Sequence, residues 1–357
     1  MAGGGTGGHV MPLLAVARLL AARGHRVVFA GTRAGLESRL VPEAGFPLEW
    51  IETGAWQRVP LARRLKTLWQ IPAGLWQAWR LLGRERAAAV LSLGGYVAMP
   101  VVAAAILRGV PVVAMEPNAM PGMVNRLAGR WVRRALVGFS QTQRWFPAGR
   151  TEVTGVPVRA EFFALPRRAA ANGEEEQTTV LTTGGSRGSR TLNEAFRASW
   201  PLFQRSGARV RFRHQSGGDA YAALAADFAQ TGLAGSVEAF INDMPGAFAE
   251  ADLIVGRAGA NAVGELAAAA KPAILVPFPF AADDHQKKNA EAMVRAGAAV
   301  MVEDRDLTGQ RFFDEVMALA ADPARRSRLG AAAHLLARPD AAERAAAVLE
   351  EVAGRLA

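Results

Sequence analysis

Cysteine is absent from the 357 residues of this chain. That absence excludes a disulfide scaffold, a thiolate metal site and a cysteine nucleophile, and it is typical of cytosolic proteins. Long apolar runs are absent too. The longest run near the middle, residues 97–107, has 11 residues and contains Pro100, whereas a membrane-spanning helix needs about 20. The N-terminus has no charged region followed by an apolar core, so no signal peptide is expected.

Acidic residues are scarce in the first part of the chain. Residues 1–165 contain 20 Lys and Arg against 8 Asp and Glu, a net charge of +12, whereas the remaining residues contain 22 against 24, a net charge of −2. Seven of the eight Trp also lie before residue 165. Unless they only reflect an arginine-rich proteome, basic residues interleaved with Trp indicate an anionic partner, either a nucleic acid or a membrane surface.

Apolar residues make up 50% of the chain and charged residues 21%, which excludes a disordered chain. At roughly 100–200 residues per domain, the length predicts two domains. Short β-rich runs alternate with helical stretches, which predicts βαβ units and a parallel sheet. The strands predicted in the first series are residues 26–30, 89–93, 110–114 and 135–138, with helices at 12–23 and 100–108.

A second series of strands follows residue 177. Its predicted members are residues 179–183, 210–214, 237–240, 253–255 and 273–277. Residues 166–178 combine a proline, an Asn-Gly pair and an acidic run, which is typical of an interdomain linker. These patterns predict an N-terminal domain over residues 1–163, a second domain over residues 164–340 and an Ala-rich helix over residues 341–357.

The first domain lacks a strand where one is expected. A Rossmann-like half opens with a strand that leads into its first glycine-rich loop, but only Met1 and Ala2 precede residues 3–8. Because strand 1 is normally central, its absence would leave neighbouring strands unpaired. We therefore expect the natural start to lie upstream, which a search for genomic codons of a short apolar strand would test.

The glycine-rich run at residues 3–8 predicts an anion site. Consecutive glycines let backbone N–H groups approach a ligand at a helix start, where the helix dipole favours negative charge. The spacing Gly3-x-Gly5-x-x-Gly8 matches the dinucleotide fingerprint, but the strand that follows ends without the acid that would hold a ribose. That counts against NAD, while Arg33 leaves an opening for the 2′-phosphate of NADP.

A second glycine-rich loop, residues 184–190, follows the predicted strand 179–183. The order of strand, loop and helix again predicts an anion site, and the lack of a Gly-Lys-Ser/Thr sequence excludes a Walker A loop. A tight turn between strand and helix is the structural alternative for either loop alone. Two such loops, one in each half of the chain, favour a ligand-binding cleft.

Motifs along nearly the whole chain resemble the MurG family of glycosyltransferases. They are residues 4–12 (GGTGGHVMP), 94–97 (GGYV), 116–118 (EPN), 154–159 (TGVPVR), 184–186 (GGS), 214–217 (HQSG), 240–244 (FINDM), 257–260 (RAGA) and 284–286 (DHQ). The resemblance implies a GT-B fold with two Rossmann-like domains and a cleft between them. Where the family usually has His before the Glu of residues 116–118, this chain has Met115.

The resemblance implies an inverting transfer of N-acetylglucosamine from UDP-N-acetylglucosamine to the C4 hydroxyl of the muramyl sugar of lipid I, giving lipid II for peptidoglycan. The implied partners are this donor, the undecaprenyl-diphosphate-linked acceptor and an anionic membrane surface, with no nucleic acid and no cofactor. The implied location is the cytoplasmic face of the bacterial inner membrane. Asp304-x-Asp306 mimics a metal-binding motif, but its position in a turn before a helix favours a capping role, so no metal is expected.

Two residues are candidates for the general base that an attacking hydroxyl requires. His9 follows the first glycine loop, and the unperturbed pKa of a histidine, about 6.5, suits the task, although a histidine at a helix N-terminus often only donates to phosphate. Glu116 follows the predicted strand 110–114 at the carboxyl end of the sheet, where ligands bind. The resemblance places Tyr96 and Asn125 at the acceptor.

The resemblance assigns the remaining site residues to the donor. They are Thr6, Gly7, Gly8, Asn118, Arg159, Ser186, Ile241, Arg257, Ala260, Asn261, Ala262, Val263, Gly264, Glu265, Gln286 and Asn289. Ser186 would bind a phosphate oxygen, Ile241 would meet the uracil, and Glu265 would accept from the ribose hydroxyls. Gln286 and Asn289 would bind the sugar hydroxyls.

Residues 60–86 carry much of the positive charge of the first domain. Leu and Trp recur there at helical spacing between Arg and Lys residues, and Pro72 is expected to break the segment into two helices. A basic, Trp-bearing amphipathic segment suits an anionic membrane interface. The alternative is that the apolar stripe packs onto the sheet and only the flanking arginines are exposed.

Three other functions remain open from the sequence. An NADP-dependent oxidoreductase would use residues 3–8 but would leave Glu265 and Gln286 without roles. A UDP-sugar epimerase of the same fold would share the donor half without a lipid-docking face. A nucleic-acid-binding protein would explain the charge but not a glycine-rich cleft.

Overall fold

The computed structural model describes residues 1–5, 7–53, 61–166 and 177–354, and only the backbone of residues 7 and 61–69. These residues form two compact units. Unit 1 comprises residues 1–158 and 338–357, and unit 2 comprises residues 159–337. The sequence placed the boundaries at residues 163 and 340, and most of the expected linker, residues 167–176, lies outside the described residues.

Unit 1 alternates helices and strands. Its elements before residue 158 are α1 (Gly7–Ala22), β1 (Phe29–Gly31), α2 (Glu37–Glu43), β2 (Leu48–Trp50), α3 (Leu61–Arg84), β3 (Val90–Ser92), α4 (Gly95–Leu107), β4 (Val112–Glu116), α5 (Met123–Ala128), β5 (Arg134–Val137) and β6 (Thr151–Val153). Strand β1 pairs with β2, and β3, β4, β5 and β6 follow one another in that order, all in parallel. The parallel α/β architecture predicted from the alternating pattern is confirmed.

Met1 and Ala2 lie between β1 and β3, in the position that a first strand takes. Ala2 forms parallel bridges to Ala30 on one side and to Ser92 on the other. Hydrogen bonds from the backbone of these two residues therefore join β1 to β3 at a single point. Only residues 29 and 30 of the predicted strand 26–30 lie in β1, which extends one residue further, because the pairing with β2 covers only residues 29–31.

Unit 2 repeats the architecture with a larger sheet. Its elements are α6 (Ala160–Phe163), β7 (Thr178–Thr183), α7 (Arg190–Ser206), β8 (Val210–Gln215), α8 (Gly218–Ala229), β9 (Ala234–Glu238), α9 (Met244–Glu250), β10 (Leu253–Gly256), α10 (Ala260–Ala268), β11 (Ala273–Leu275), α11 (His285–Arg295), β12 (Val300–Met301), α12 (Gly309–Ala320) and α13 (Pro323–His334). The six strands are parallel in the order β12-β11-β10-β7-β8-β9.

The two edge strands of unit 2 are where the sequence prediction was least accurate. Strand β9 begins three residues before the predicted 237–240, and β12 was not predicted. An edge strand has one neighbour and a partly exposed face, so it lacks the continuous β-branched run that identifies a buried strand. The core beside the central strands is aromatic and contains Phe196, Phe203, Phe212, Phe228 and Phe312.

Helix α3 runs without interruption through Pro72, so the predicted break into two helices is wrong. A proline removes one N–H from the helical hydrogen-bond ladder. Helix α3 packs along α4, and this tertiary contact stabilises the helix against the loss. No helix among the described residues is both long enough and apolar enough to cross a bilayer.

The second half of α3 presents two kinds of surface. Ala78, Leu81 and Leu82 are buried in the core of unit 1. Trp76 and Trp79 are 58% and 40% exposed. The alternative that the apolar stripe packs onto the sheet therefore holds for Ala78, Leu81 and Leu82 but not for these tryptophans, and the side chains of residues 61–69 lie outside the description.

The last helix, α14 (Ala341–Gly354), packs on α1, near the other end of the chain. Apolar residues of both helices share one core cluster, in which Leu13 and Val348 are fully buried. The guanidinium of Arg344 contacts both carboxylate oxygens of Glu152, at 2.5 and 3.0 Å. The apolar contact contributes most of the stability, because the ion pair is partly exposed.

Leu349→Ala tests this contact. Leu349 is 6% exposed, so we expect its truncation to lower the free energy of unfolding by about 2–3 kcal/mol, through lost burial and a residual cavity. Urea unfolding followed by circular dichroism measures the effect. Glu343→Gln, on the exposed face of the same helix, should stay within about 0.5 kcal/mol of the parent chain. Equal stabilities of the two variants would contradict the packing described.

Candidate functional site

The first glycine loop links Ala2 to helix α1. Gly5 has a φ of +85°, a conformation that favours glycine, and Thr6 lies outside the described residues. Nδ1 of His9, in the first turn of α1, lies 3.1 Å from the carbonyl oxygen of Gly4. Because a carbonyl only accepts hydrogen bonds, Nδ1 carries the proton in this contact, and a neutral His9 ring then has its lone pair on Nε2.

A buried carboxylate that the sequence prediction missed lies against this loop. Glu37, the first residue of α2, is 1% exposed. Its Oε2 accepts from the N–H of Gly5 at 2.7 Å, and its Oε1 accepts from both the N–H and the hydroxyl of Thr32, at 2.9 and 2.8 Å. The Gly5 N–H is therefore directed at a protein carboxylate. The signal available in the sequence was an acidic residue six positions after β1.

The Gly94-Gly95 pair at the start of α4 lies close to Tyr96 and His9, which contact the same loop. The ring of Tyr96 lies next to the α-carbon of Gly5: a Cβ added to Gly5 would be 3.4 Å from Cε1 of Tyr96. The ring of His9 lies next to the α-carbon of Gly95: a Cβ added to Gly95 would be 3.6 Å from Cε1 of His9. The structure therefore places a predicted base and a predicted acceptor residue around one loop of unit 1.

Glu116 ends β4 and is 2% exposed. Its Oε1 accepts from the backbone and side-chain N–H groups of Asn118, both at 3.1 Å. Its Oε2 accepts from the N–H of Gly122 at 3.0 Å and from Nδ2 of Asn125 at 2.8 Å. Burial raises the pKa of Glu116, and these four donors oppose that shift. The four bonds occupy the carboxylate and organise the loop between β4 and α5.

Unit 2 contains a cavity of about 1060 Å³ at the carboxyl ends of its central strands. Five residues predicted for the donor line it, namely Ser186, Arg257, Ala262, Glu265 and Gln286. Phe240, Phe278 and Phe280 also line it, and all three are more than 40% exposed. The cavity thus combines aromatic surface with a few polar groups, as ligand sites commonly do.

The second glycine loop forms one wall of this cavity. A Cβ at Gly188, where φ is +74°, would collide with the carbonyl of Ser216, so close backbone packing requires glycine there. Ser189 caps α7 by accepting from the N–H of Leu192 at 3.3 Å. Ser186 is exposed on this loop, two residues before Gly188. The glycines thus shape the wall, and Ser186 lines the cavity beside them.

Arg257 is held in place by hydrogen bonds to four acceptors. Its guanidinium donates to Asp304 Oδ1 at 2.5 Å, to Ser189 Oγ at 2.6 Å and to the carbonyl oxygens of Val276 and Pro277. The other oxygen of Asp304 accepts from the hydroxyl of Thr191 at 3.0 Å. The predicted capping role of Asp304 is wrong, because helix α12 is capped by Thr308 and Asp304 instead anchors Arg257.

Gln215 is a second site residue to which the sequence prediction gave no role. Its Nε2 donates to the carbonyl oxygen of Gly185 at 2.8 Å, and its Oε1 accepts from the N–H of Ile241 at 3.0 Å. One buried amide therefore joins the second glycine loop to the loop after β9. Residues 214–217 were a motif in the sequence, and their spacing after a strand was the available signal.

Glu265 lies on α10 with its side chain towards the cavity. Burial raises the pKa of Glu265 to about 7, and the positive charge of Arg159 opposes that shift. Arg159 is itself exposed and lies over the ring of Phe162, 4.9 Å from its centre. Among the described residues no hydrogen-bond donor reaches this half-buried carboxylate, so it is suited to accept hydrogen bonds from a ligand.

Several predicted donor residues lie outside the cavity lining. Ile241 is 1% exposed, and Asn289 is fully buried with its Nδ2 donating to the carbonyl oxygen of Ala258 at 3.0 Å. Asn118, Gly7 and Gly8 belong to unit 1, and Thr6 lies outside the described residues. The other predicted residues beyond the lining are Arg159, Ala260, Asn261, Val263 and Gly264. Their ligand contacts stay predictions.

The comparisons with known proteins agree with this architecture. Residues 1–137 match the glycosyltransferase family 28 N-terminal domain, and residues 179–345 match the glycosyltransferase family 28 C-terminal domain. Two Rossmann-like units of these two kinds define a glycosyltransferase of the GT-B class.

Relatives narrow the class to one family. The chain is 55% identical over 353 residues to the UDP-N-acetylglucosamine–N-acetylmuramyl-(pentapeptide) pyrophosphoryl-undecaprenol N-acetylglucosamine transferase of Solibacter usitatus, covering 99% of this chain and 95% of that one. It is 43% identical to the enzyme of the same name from Halorhodospira halophila, covering 99% and 98%. The crystal structure of Acinetobacter baumannii MurG matches with a TM-score of 0.81 at 31% identity, covering 98% and 97%. The chain belongs to the MurG family.

Glu265→Gln tests the environment of the cavity carboxylate through stability. A carboxyl group with a raised folded-state pKa destabilises the fold as pH rises from about 4.5 to 7, because the folded chain must release a proton it binds more tightly than the unfolded chain does. The free energy of unfolding of the variant should therefore exceed that of the parent by about 1–2 kcal/mol at pH 8, allowing for the partial exposure of the carboxylate, and by little at pH 5.

Urea unfolding of both chains at the two pH values measures this difference. Glu194→Gln, which removes an exposed carboxylate from α7, controls for the loss of one negative charge. If Glu265→Gln raises the free energy of unfolding by the same amount at pH 5 and at pH 8, the raised pKa of Glu265 is contradicted.

Proposed function

We propose that this chain transfers N-acetylglucosamine from UDP-N-acetylglucosamine to the C4 hydroxyl of the muramyl sugar of undecaprenyl-diphosphate-linked lipid I, giving lipid II. The observation that carries the proposal is the 55% identity, over 99% of the chain, to a transferase named for this donor and acceptor. The cavity of unit 2 supports it, because its volume and its mixture of aromatic and polar groups suit a nucleotide-sugar.

The donor is proposed to bind in the cavity of unit 2. Ser186 donates its hydroxyl to a phosphate oxygen, and Glu265 accepts from the ribose hydroxyls. Gln286 is positioned by its Oε1, which accepts from the N–H of Phe278 at 3.0 Å, so its amide N–H groups are directed away from that bond towards the sugar. Arg257 adds positive charge beside the diphosphate, although Asp304 offsets part of that charge.

His9 is proposed as the general base. Its proton on Nδ1 leaves the Nε2 lone pair of the neutral ring as the basic position, as the reaction requires. Glu116 is less suited, because each of its oxygens already accepts two N–H donors. We propose that Glu116 orders the loop carrying Asn118, while Tyr96 and Asn125 remain the proposed acceptor contacts.

The other functions are less well supported. An NADP-dependent oxidoreductase needs the first glycine loop for its diphosphate, but the N–H of Gly5 donates to Glu37. A UDP-sugar epimerase is disfavoured by the identity of the whole chain to named transferases. No metal is proposed in the reaction, since the carboxylate oxygens of Asp304 accept from Arg257 and Thr191.

The transfer reaction itself is the direct test. Labelled N-acetylglucosamine should move from the UDP-sugar to a lipid I analogue, at the same rate with and without a chelator. His9→Gln should lower kcat by about 10²-fold or more, since a general base contributes at least that much, while UDP binding measured by calorimetry should be unchanged. Absence of transfer, or transfer only with added metal, would overturn the proposal.

Unit 1 is proposed to dock on the cytoplasmic face of the bacterial inner membrane. We define the Trp–Arg face as Trp76, Trp79, Arg80, Leu107 and Arg108, contributed by the packed helices α3 and α4 and the residue that follows α4. Arg80 lies over the ring of Trp76 at 4.8 Å, and Arg108 lies over the ring of Trp79 at 4.6 Å. Leu107 is 65% exposed. Such pairs suit an interface of acyl chains and anionic headgroups.

Vesicle binding tests the Trp–Arg face. The double variant Trp76→Ala and Trp79→Ala should bind phosphatidylglycerol vesicles about 10-fold more weakly or worse, because two exposed aromatic rings no longer enter the interface. Sedimentation with these vesicles, and with neutral phosphatidylcholine vesicles, measures binding. Tyr221→Ala, which removes an exposed aromatic ring from unit 2, is the matched control. Equal binding by all chains would exclude this face as the docking surface.

A further inference from the structure

We propose that Glu37 is a positioning residue that fixes the proton and the orientation of His9 through one peptide group. The peptide between Gly4 and Gly5 is the connection: its N–H donates to Glu37 and its carbonyl oxygen meets the ring of His9. The role of His9 as base rests on the proposed function above, whereas the connection itself rests on the geometry of unit 1.

The two hydrogen bonds lie on opposite sides of the same planar group. Glu37 Oε2 is 2.7 Å from the nitrogen of Gly5, and Nδ1 of His9 is 3.1 Å from the oxygen of Gly4. A negative charge that accepts from a peptide N–H polarises that peptide and makes its carbonyl a stronger acceptor. The carboxylate therefore favours the tautomer of His9 that carries its proton on Nδ1.

The chain is built closely around this carboxylate. A Cβ at Gly4, Gly31 or Gly35 would collide with the side chain of Glu37. One glycine of the first loop and two glycines between the end of β1 and α2 thus leave room for one acidic side chain, which accounts for glycines that a phosphate-binding loop alone would not require. Thr32 supplies both donors to the other oxygen, which holds the carboxylate towards Gly5.

The arrangement has a clear consequence for proton transfer. When Nε2 of His9 takes a proton from the attacking hydroxyl, the ring becomes a cation with an N–H on each side. The peptide then relays the negative charge of Glu37 to the Nδ1 side of that cation. This is the orienting and charge-stabilising task that a carboxylate performs directly in hydrolase triads, performed here across one peptide group.

Glu37→Gln is the informative change. Glutamine has nearly the same shape but one acceptor oxygen, and Thr32 presents two donors to it. We expect the oxygen to stay with Thr32, so that the amide N–H groups face Gly5 and its hydrogen bond is lost. Glu43→Gln, which removes a carboxylate that is 60% exposed from the other end of α2, is the matched control.

The first measurement is independent of activity. In ¹⁵N-histidine NMR of the parent chain, assigned with His9→Gln, the neutral ring of His9 should show a pyrrole-like Nδ1 and a pyridine-like Nε2. Glu37→Gln should shift both nitrogens towards a mixture of tautomers, and Glu43→Gln should not. A parent chain in which Nε2 carries the proton would overturn the proposal even if Glu37→Gln did not fold.

The second measurement is kinetic. Glu37→Gln should lower kcat by about 10-fold, a fraction of the full contribution of a general base, with the KM for UDP-N-acetylglucosamine within about two-fold of the parent value. Glu43→Gln should retain the parent kcat. If Glu37→Gln folds and keeps both its kcat and its His9 shifts, or loses kcat with unchanged shifts, the relay is wrong. If the parent chain transfers no sugar, the proposed function fails while the NMR result still decides the relay.

Discussion

Both units depend on buried polar side chains that hold backbone groups at the carboxyl ends of parallel strands. A backbone N–H or carbonyl that leaves the sheet at a loop must find another partner, because burial without one costs about 1–3 kcal/mol. Glu37 and Glu116 supply that partner in unit 1, and Gln215 supplies it in unit 2. Glu37 and Gln215 each join segments that are distant in sequence, whereas Glu116 joins residues of the loop and helix that follow β4. Each of the three side chains therefore fixes the shape of a loop.

In unit 1 these interactions form a continuous set around the first glycine loop. Glu37 accepts a hydrogen bond from the peptide group that contacts His9. The Gly94-Gly95 pair at the start of α4 positions Tyr96 beside the same loop. Glu116 holds Asn125, whose amide lies about 3 Å from where a Cβ of Gly94 would be. In unit 2, the hydrogen bonds of Arg257 likewise fix the shape of the site. They place its cationic side chain in the cavity lining, while its guanidinium N–H groups donate to Asp304, Ser189 and backbone carbonyls.

The central strands of both sheets could be predicted from sequence, because they are short β-branched runs buried on both faces and bounded by Gly or Pro. Strands β2, β6 and β12 were not predicted, since edge strands carry mixed polar and apolar residues. Pro72 was expected to end a helix, yet α3 passes through it, because packing against α4 outweighs one missing hydrogen bond. Local rules failed where tertiary contacts supplied the stability.

By itself, the sequence determined the class of protein through one glycine loop in each half, a basic Trp-bearing half and a series of motifs in family order. It also predicted His9, Glu116, Glu265 and Arg257 as site residues. Only the tertiary structure decided which hydrogen-bond partners each of these residues has. The four donors around Glu116 come from the loop and helix that directly follow it. The anchoring of Arg257 by Asp304 and the position of Glu37 against Gly5 come from segments distant in sequence. Hydrogen bonds between such segments leave no local pattern, because the chain must fold before donor and acceptor meet.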